Sequence, residues 1–350
     1  MNAAPHPPPG IDPDGVEAWF AAHVPRARLP LRFELIAGGR SNLTYRVEDA
    51  AGAAFVLRRP PLRGVLPSAH DMAREHRIIA ALHPTAVPVP RPLGLCQNES
   101  VTGAPFYVMD FVEGVVPRDR ATAAAGLPAA LRGAAARSLL EVLVTLHQVD
   151  VDAVGLGQLG RREGYLERQL RRWTRQWEQS RTRELPLIDE VGARLAARVP
   201  PQRAATIVHG DYRLDNVILS PADGRVRAVL DWELCTLGDP LADVGLLLVY
   251  WTEPGDPLEP LRDPPTTLPG FPSRAELAAA YAERSGRDLG ELDYYLAFGY
   301  WKLAVILEGV HARSVAGAYG AADPARFRGL AEMVDLLAEQ AAAAVTRAGR

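Results

Sequence analysis

The sequence predicts an α+β fold of two lobes, a small β-rich N-lobe and a larger, mainly helical C-lobe, on three grounds. At 350 residues the chain exceeds the roughly 100 to 200 residues of an ordinary single domain. Strand-like runs cluster in its first third. From about residue 121 the composition turns Ala-rich, with apolar residues at helical spacing. The expected boundaries are a disordered, Pro-rich N-terminus over 1–13, an N-lobe over 14–113 and a C-lobe over 114–345.

Within the N-lobe, 16–22 has a short helical pattern, and 32–37 (RFELIA), 43–48 (LTYRVE) and 54–58 (AFVLR) read as strands of an antiparallel meander. Residues 71–82 (DMAREHRIIAAL) carry the helical period. The apolar run 106–109 (FYVM) is a buried strand leading into Asp110-Phe111-Val112-Glu113-Gly114, whose glycine marks the expected hinge. C-lobe helices are expected over 129–147, 161–183, 275–285, 291–313 and 325–347, with a compact strand–loop–strand block over 207–231 between the second and third. The chain shows no internal repeat.

A hydrophobic content of 48% with 23% charged residues is ordinary for a globular core, and a net charge of −3 gives no reason to expect a nucleic-acid or anionic-membrane partner. Cys96 and Cys235 lack metal-ligand spacing and are expected to be buried and inert in a reducing compartment. No signal-peptide pattern opens the sequence, and no apolar run approaches the ~20 residues that cross a bilayer, so a cytoplasmic protein is expected.

The chemistry is carried by His209-Gly210-Asp211-Tyr212-Arg213-Leu214-Asp215-Asn216, followed 15 residues on by Asp231 in VLDWE. This is the spacing of a kinase catalytic loop, H-x-D-x-x-x-x-N, with a later metal-binding aspartate at a strand end, which makes the expected fold protein-kinase-like. Phosphoryl transfer needs a carboxylate beside the acceptor hydroxyl and hard oxygen ligands that hold Mg²⁺ across the phosphates of ATP. His209, Asp211 and Arg213 are accordingly the candidate catalytic residues, and Asn216 and Asp231 the candidate Mg²⁺ ligands. Alone, either aspartate reads as a turn or capping residue. Their order and spacing together point to a site.

Gly38-Gly39-Arg40-Ser41-Asn42 lies between two strands and has the form of a phosphate-covering hairpin, in which glycines let backbone N–H groups approach an anion. By itself it reads as a β-turn, and its weight comes from preceding a strand that ends in a cation. Arg58 and Arg59 stand there, and strand alternation favours neither as the one facing the cleft. No lysine is at hand, because Lys302, the only lysine in the chain, lies in a C-terminal helix. Glu75 on the 71–82 helix is the expected partner of the cation. Residues 161–183 hold eight arginines, three glutamates, and Trp173 and Trp177 one turn apart. They read either as a solvated helix whose tryptophans reach the core or as a basic wall for an anionic acceptor.

With these residues in view, the chain resembles the aminoglycoside phosphotransferase-like kinases over about residues 30–315, HGDYRLDN and LDWE corresponding to that family's catalytic loop and metal segment. The resemblance implies Asp211 as catalytic base, Asn216 and Asp231 as Mg²⁺ ligands, Asp110, Phe111 and Val112 as the adenine-binding hinge, and Arg58 where protein kinases place a lysine. VLRRPP (56–61), AVLDWELCTLGDPLADVG (228–245) and EGVHARSVAG (308–317) are similar to the branch found beside or fused to acyl-CoA dehydrogenases. That branch implies ATP- and Mg²⁺-dependent phosphorylation of the hydroxyl of a hydroxyacyl-CoA, with an acyl-CoA dehydrogenase of the same pathway as the expected partner. An antibiotic or other small-alcohol kinase is the alternative, which the basic 161–183 helix disfavours for a cationic aminoglycoside. A nucleotide-binding, pseudokinase-like module would require the loss of Asp211, Asn216 or Asp231, and all three are present.

Overall fold

Asp12 starts the first helix by accepting a hydrogen bond from the Gly15 N–H, with Pro13 in the first turn, and α1 (Pro13–His23) buries Val16, Trp19 and Phe20. The computed structural model describes residues 8–37, 42–62, 71–259, 263–317 and 329–349. Its contacts divide the chain into two units, Met1–Gly114 with Arg227–Glu233, and Val115–Val226 with Leu234–Arg350.

In the first unit, β1 (Arg32–Ala37), β2 (Leu43–Glu48), β3 (Ala54–Arg59), β4 (Pro92–Cys96) and β5 (Phe106–Asp110) form an antiparallel sheet in the order β1-β2-β3-β5-β4. Strand alternation sends Tyr45, Val47, Phe55, Leu57, Phe106 and Val108 into one core cluster with Trp19 and Phe20 of α1. Helix α2 (Met72–Leu82), capped by Asp71 on the Arg74 N–H at 2.9 Å, packs against β4 and β5 and buries Glu75 in its first turn among Met72, Ile78 and Ile79. The register sets Thr44 opposite Arg58 and Arg58 opposite Tyr107. Cross-strand partners share a face, so a polar row crosses the middle of the sheet. The expected strands all form. The sequence reading missed β4, whose Pro92 and Gly94 are poor strand formers and flank a register shift on the sheet edge.

The second unit starts with α3 (Arg120–Gly126), α4 (Ala129–Gln148), α5 (Tyr165–Ser180) and α6 (Pro186–Ala197). Strands β6 (Thr206–Val208) and β7 (Val217–Leu219) follow. Then β8 (Val226–Val229) leads into the segment counted with the first unit, and β9 (Thr236–Gly238) pairs antiparallel with β6. The chain ends in α7 (Pro240–Tyr250), α8 (Arg274–Ser285), α9 (Leu292–Val315) and α10 (Leu330–Ala348). Helix α9 is central: it packs against α5, α6, α7 and α10.

The helix expected over 161–183 is shorter, because Gly164 takes a left-handed conformation (φ 63°) just before it and Arg181 is extended just after. Helix α10 starts later than expected at Leu330, residues 325–328 lying outside the described set. Helices α3, α6 and α7 were not anticipated. In α7 the reason is plain: all ten residues from Pro240 to Val249 are buried, so no polar face marks a period. No described helix is long and apolar enough to cross a membrane.

Candidate active site

Arg58 anchors the polar row of the first unit. Its Nε donates to Glu75 Oε2 at 3.0 Å, Nη2 to Asp231 Oδ1 at 2.5 Å and Nη1 to Thr44 Oγ1 at 3.3 Å. Tyr107 Oη adds a donor to Glu75 Oε2 at 3.1 Å, and Asn42 Nδ2 donates to Glu75 Oε1 at 2.7 Å. Burial pulls the Arg58 pKa down, but Tyr107, Glu75, Asp231 and Glu233 outweigh it and push the pKa up. The guanidinium is therefore a fixed charge. Burial likewise raises the Tyr107 phenol well above its ordinary value and keeps it a donor.

Arg59 occupies a different environment. It is 4% exposed and donates to the carbonyls of Gly10, Pro60 and Thr102, which makes it a structural tie. The alternation that leaves the two arginines equivalent on paper is thus resolved by their partners: Arg58 takes Glu75. Asp231 has φ 63°, a left-handed value uncommon outside glycine, Asn and Asp and costly to hold. No hydrogen bond from a described residue reaches its Oδ2.

In the second unit, β6 delivers His209 and Gly210, and a 3₁₀ turn over Leu214–Asn216 leads into β7. Gly210 has φ 84°, and a Cβ there would lie 2.8 Å from the Leu234 carbonyl oxygen, so only glycine fits. Tyr212 Oη donates to the Leu139 carbonyl at 2.7 Å and pins the loop to α4. Asp211 Oδ2 accepts from Asn216 Nδ2 at 2.9 Å and from Arg213 Nε at 3.2 Å, while Oδ1 receives no hydrogen bond from a described residue. Arg213 also pairs with Asp215 at 2.9 Å and lies 4.5 Å over the Tyr250 ring. Asn216 Nδ2 donates as well to the Asp211 carbonyl at 2.8 Å. Both partners of that nitrogen are acceptors, so the amide orientation is set, and no hydrogen bond from a described residue reaches Asn216 Oδ1, a hard oxygen.

A buried carboxylate holds this loop from below. Asp243 of α7 accepts from the His209 N–H at 2.7 Å and the Gly210 N–H at 2.8 Å, and faces His147 Nε2 at 3.4 Å. Burial pushes the Asp243 carboxyl up, but His147, His209 and the Gly210 N–H outweigh it and bring it below the ordinary range. A depressed carboxylate stabilises the fold above its unfolded pKa of about 3.8 and loses that contribution as pH falls through the still lower folded value. Asp243→Ala orphans two buried N–H groups at about 1–3 kcal/mol each. A stability loss of at least about 2 kcal/mol at neutral pH is expected, and the shift in the urea midpoint measures it.

Of the residues singled out in the sequence, His209, Asp211, Arg213 and Asn216 come together in one unit and Asn42, Arg58, Glu75 and Asp231 in the other. Gly38, Gly39, Arg40 and Ser41 lie outside the described residues. Asp110 closes β5, its N–H donating to the Arg91 carbonyl at 2.9 Å and its carboxylate pairing with Arg26; Arg46 lies 5.4 Å over the Phe111 ring, and Val112 is half-buried. Trp173 and Trp177 of α5 are buried, as are Cys96 and Cys235. Sequence reasoning missed Tyr107, Asp243 and Lys302. A lone carboxylate in the apolar stretch of α7 and a lone lysine in an arginine-rich chain were the available signals.

The kinase-like fold and a loop presenting Asp211 beside Asn216 define the class: this chain is a phosphotransferase. It belongs to the phosphotransferase enzyme family, whose profile matches residues 32–295. It is 39% identical over 282 residues to acyl-CoA dehydrogenase family member 10 of Mus musculus, covering 80% of this chain and 26% of that protein. A solved Ralstonia eutropha protein, provisionally described as an aminoglycoside phosphotransferase, is 35% identical with a TM-score of 0.76, covering 94% of this chain and 98% of the other. A thermostable mutant of aminoglycoside phosphotransferase APH(4)-Ia, in ternary complex with AMP-PNP and hygromycin B, shares the fold at 17% identity and a TM-score of 0.58, covering 91% and 94%. The chain spans 26% to 42% of the length of the curated relatives it matches.

Proposed function

We propose that this chain transfers the γ-phosphoryl group of ATP to the hydroxyl of a hydroxyacyl-CoA, with Asp211 as base. The observation that carries this reading is the unequal state of the two Asp211 oxygens. Oδ2 is held by Asn216 and Arg213, and Oδ1 is left to accept a proton. A carboxylate so oriented can take the acceptor proton as the oxygen attacks. Asn216 Oδ1 in the second unit and Asp231 Oδ2 in the first are each the kind of hard oxygen that Mg²⁺ prefers, a metal that binds through one or two protein groups plus phosphates and water. When bound, the metal and ATP supply the transferred group and the charge that steadies it. Arg58, fixed by Glu75, supports the phosphates.

The acceptor assignment rests on the relative named for an acyl-CoA dehydrogenase and on the arginines of α5. No carboxylate of a described residue pairs with Arg171, Arg172 or Arg175. Arg168 is turned back onto the carbonyls of Arg161 and Glu163. Arg171 and Arg175 line a cavity of about 520 Å³ with Leu170, Thr174 and Val199, whereas Arg172 lies 5.0 Å over Trp173. Arg172 lowers the pKa of Lys302, whose Nζ donates to the Gly210 carbonyl of the catalytic loop.

ADP release measured against hydroxyacyl-CoAs, free hydroxy acids and aminoglycosides tests the reading. Turnover of the CoA esters alone supports it; turnover of aminoglycosides alone overturns the acceptor and leaves an antibiotic kinase. With a CoA ester, Arg172→Ala is expected to raise the acceptor KM about tenfold at low salt, the scale of one charge-assisted hydrogen bond, with KM for ATP unchanged. The effect shrinks as salt screens the site. Equal acceptor KM for variant and wild type would make the α5 arginines a solvated face.

A further inference from the structure

Every other Lys or Arg position in the chain is arginine, and the one lysine is buried: Lys302 of α9 is 6% exposed. Removing an ammonium from water costs several kcal/mol unless partners compensate it, so its position calls for a local reason. Its Nζ donates to the Gly210 carbonyl oxygen at 3.0 Å and lies 5.6 Å from the Trp173 ring centroid, and no carboxylate of a described residue forms an ion pair with it.

The Gly210 carbonyl and the Asp211 N–H are the two ends of one peptide group. The preceding peptide's N–H, that of Gly210, is held by Asp243 Oδ1 at 2.8 Å. Gly210 is therefore clamped between an anion at its N–H and a cation at its C=O. A cation at the carbonyl polarises the rest of that peptide, and the Asp211 N–H donates onward to His209 Nδ1 at 3.2 Å. The chain of contacts is Lys302, the peptide, then the imidazole, with the Asp211 side chain springing from its centre. A guanidinium would not serve equally well: its planar fork presents five donors, and a single carbonyl accepts here.

We propose that Lys302 is a positioning residue for phosphoryl transfer. It fixes the Gly210–Asp211 peptide so that Asp211 Oδ1 faces the acceptor. The groups around it are Tyr165 and Trp173 from α5 and Asp243 and Leu246 from α7, with Asp211 of the loop and Arg172 of α5 acting on its charge. Burial lowers the Lys302 pKa, Asp211 and Asp243 oppose that, and Arg172 adds to it. The turnover part of the inference rests on the phosphotransfer reading; the coupling between Lys302 and Asp211 does not.

A single lysine makes the coupling directly observable, because protein labelled with ¹⁵Nζ-lysine gives one side-chain resonance. Titrating it in wild type and in Asp211→Asn is expected to move the midpoint down by about half a pH unit or more, since the ammonium loses an attractive charge. Lys302→Met, shown folded by thermal melting, is expected to lower kcat about 10- to 100-fold with KM for ATP within twofold, and Lys302→Arg to recover part of that loss. An unmoved midpoint overturns the inference, and so does a folded Lys302→Met with wild-type kcat. Should Lys302→Met fail to fold, the titration decides. A shifted midpoint in a protein that turns over none of the acceptors sustains the coupling and overturns the assigned reaction instead.

Discussion

Asp211→Asn is expected to lower kcat by at least about 10²-fold, the scale on which a positioned acid–base group acts, while calorimetry finds MgATP affinity within about threefold of wild type. The substitution is conservative where the structure needs it to be. An amide of the same shape can still accept from Asn216 Nδ2, which at 2.9 Å is one of the two donors holding the carboxylate. What it removes is basicity at the oxygen left open. Asp211→Ala takes away the oxygen altogether and should be at least as slow. Because the surrounding loop is held by Asp243 through the His209 and Gly210 N–H groups and by Tyr212 on α4, neither variant should lose the fold. Near-wild-type kcat in both variants would remove Asp211 from the reaction.

Asp231→Ala is expected to abolish Mg²⁺-dependent nucleotide binding, and Asp231→Asn to weaken it severely. A Mg²⁺ ion held by few protein groups cannot easily lose its one carboxylate. The pair of variants separates two causes. Alanine at φ 63° is strained where asparagine is tolerated, so a loss driven by backbone strain would appear in Asp231→Ala and not in Asp231→Asn. A loss driven by charge appears in both. The carboxylate also partners Arg58 at 2.5 Å, so ATP affinity without metal should change little or even rise as the guanidinium is released to the phosphates. Asn216→Ala should weaken MgATP binding less than either. Unchanged MgATP affinity in both Asp231 variants would dismiss the metal role.

The two signals that were legible in the sequence were of different kinds. The strands of the first unit show as short alternating runs, and the loop from His209 to Asn216 shows as a spacing, because both are local and depend on residues within about eight positions. What was not legible depends on pairing. Whether Arg58 or Arg59 turns to Glu75 is decided by the registers Arg58↔Thr44 and Arg58↔Tyr107, which no local pattern encodes. Asp243 hid inside a helix without polar periodicity. Lys302 was visible as an oddity of composition, but its role appears only when α9 is laid against the loop 92 residues earlier in the chain.

Residues Arg227–Glu233 belong by contacts to the first unit although they are encoded in the middle of the second. Arg58 and Asp231 are separated by 173 residues. At 5–20 residues per second, a ribosome needs on the order of 10 to 35 s to go from one to the other. During synthesis the β-sheet must therefore wait with its central guanidinium matched by Glu75 and Thr44 but not yet by Asp231. A fragment ending at Gly114 would carry that deficit permanently. The order of translation thus completes the cluster around Arg58 only about two-thirds of the way along the chain, long after the sheet that carries it.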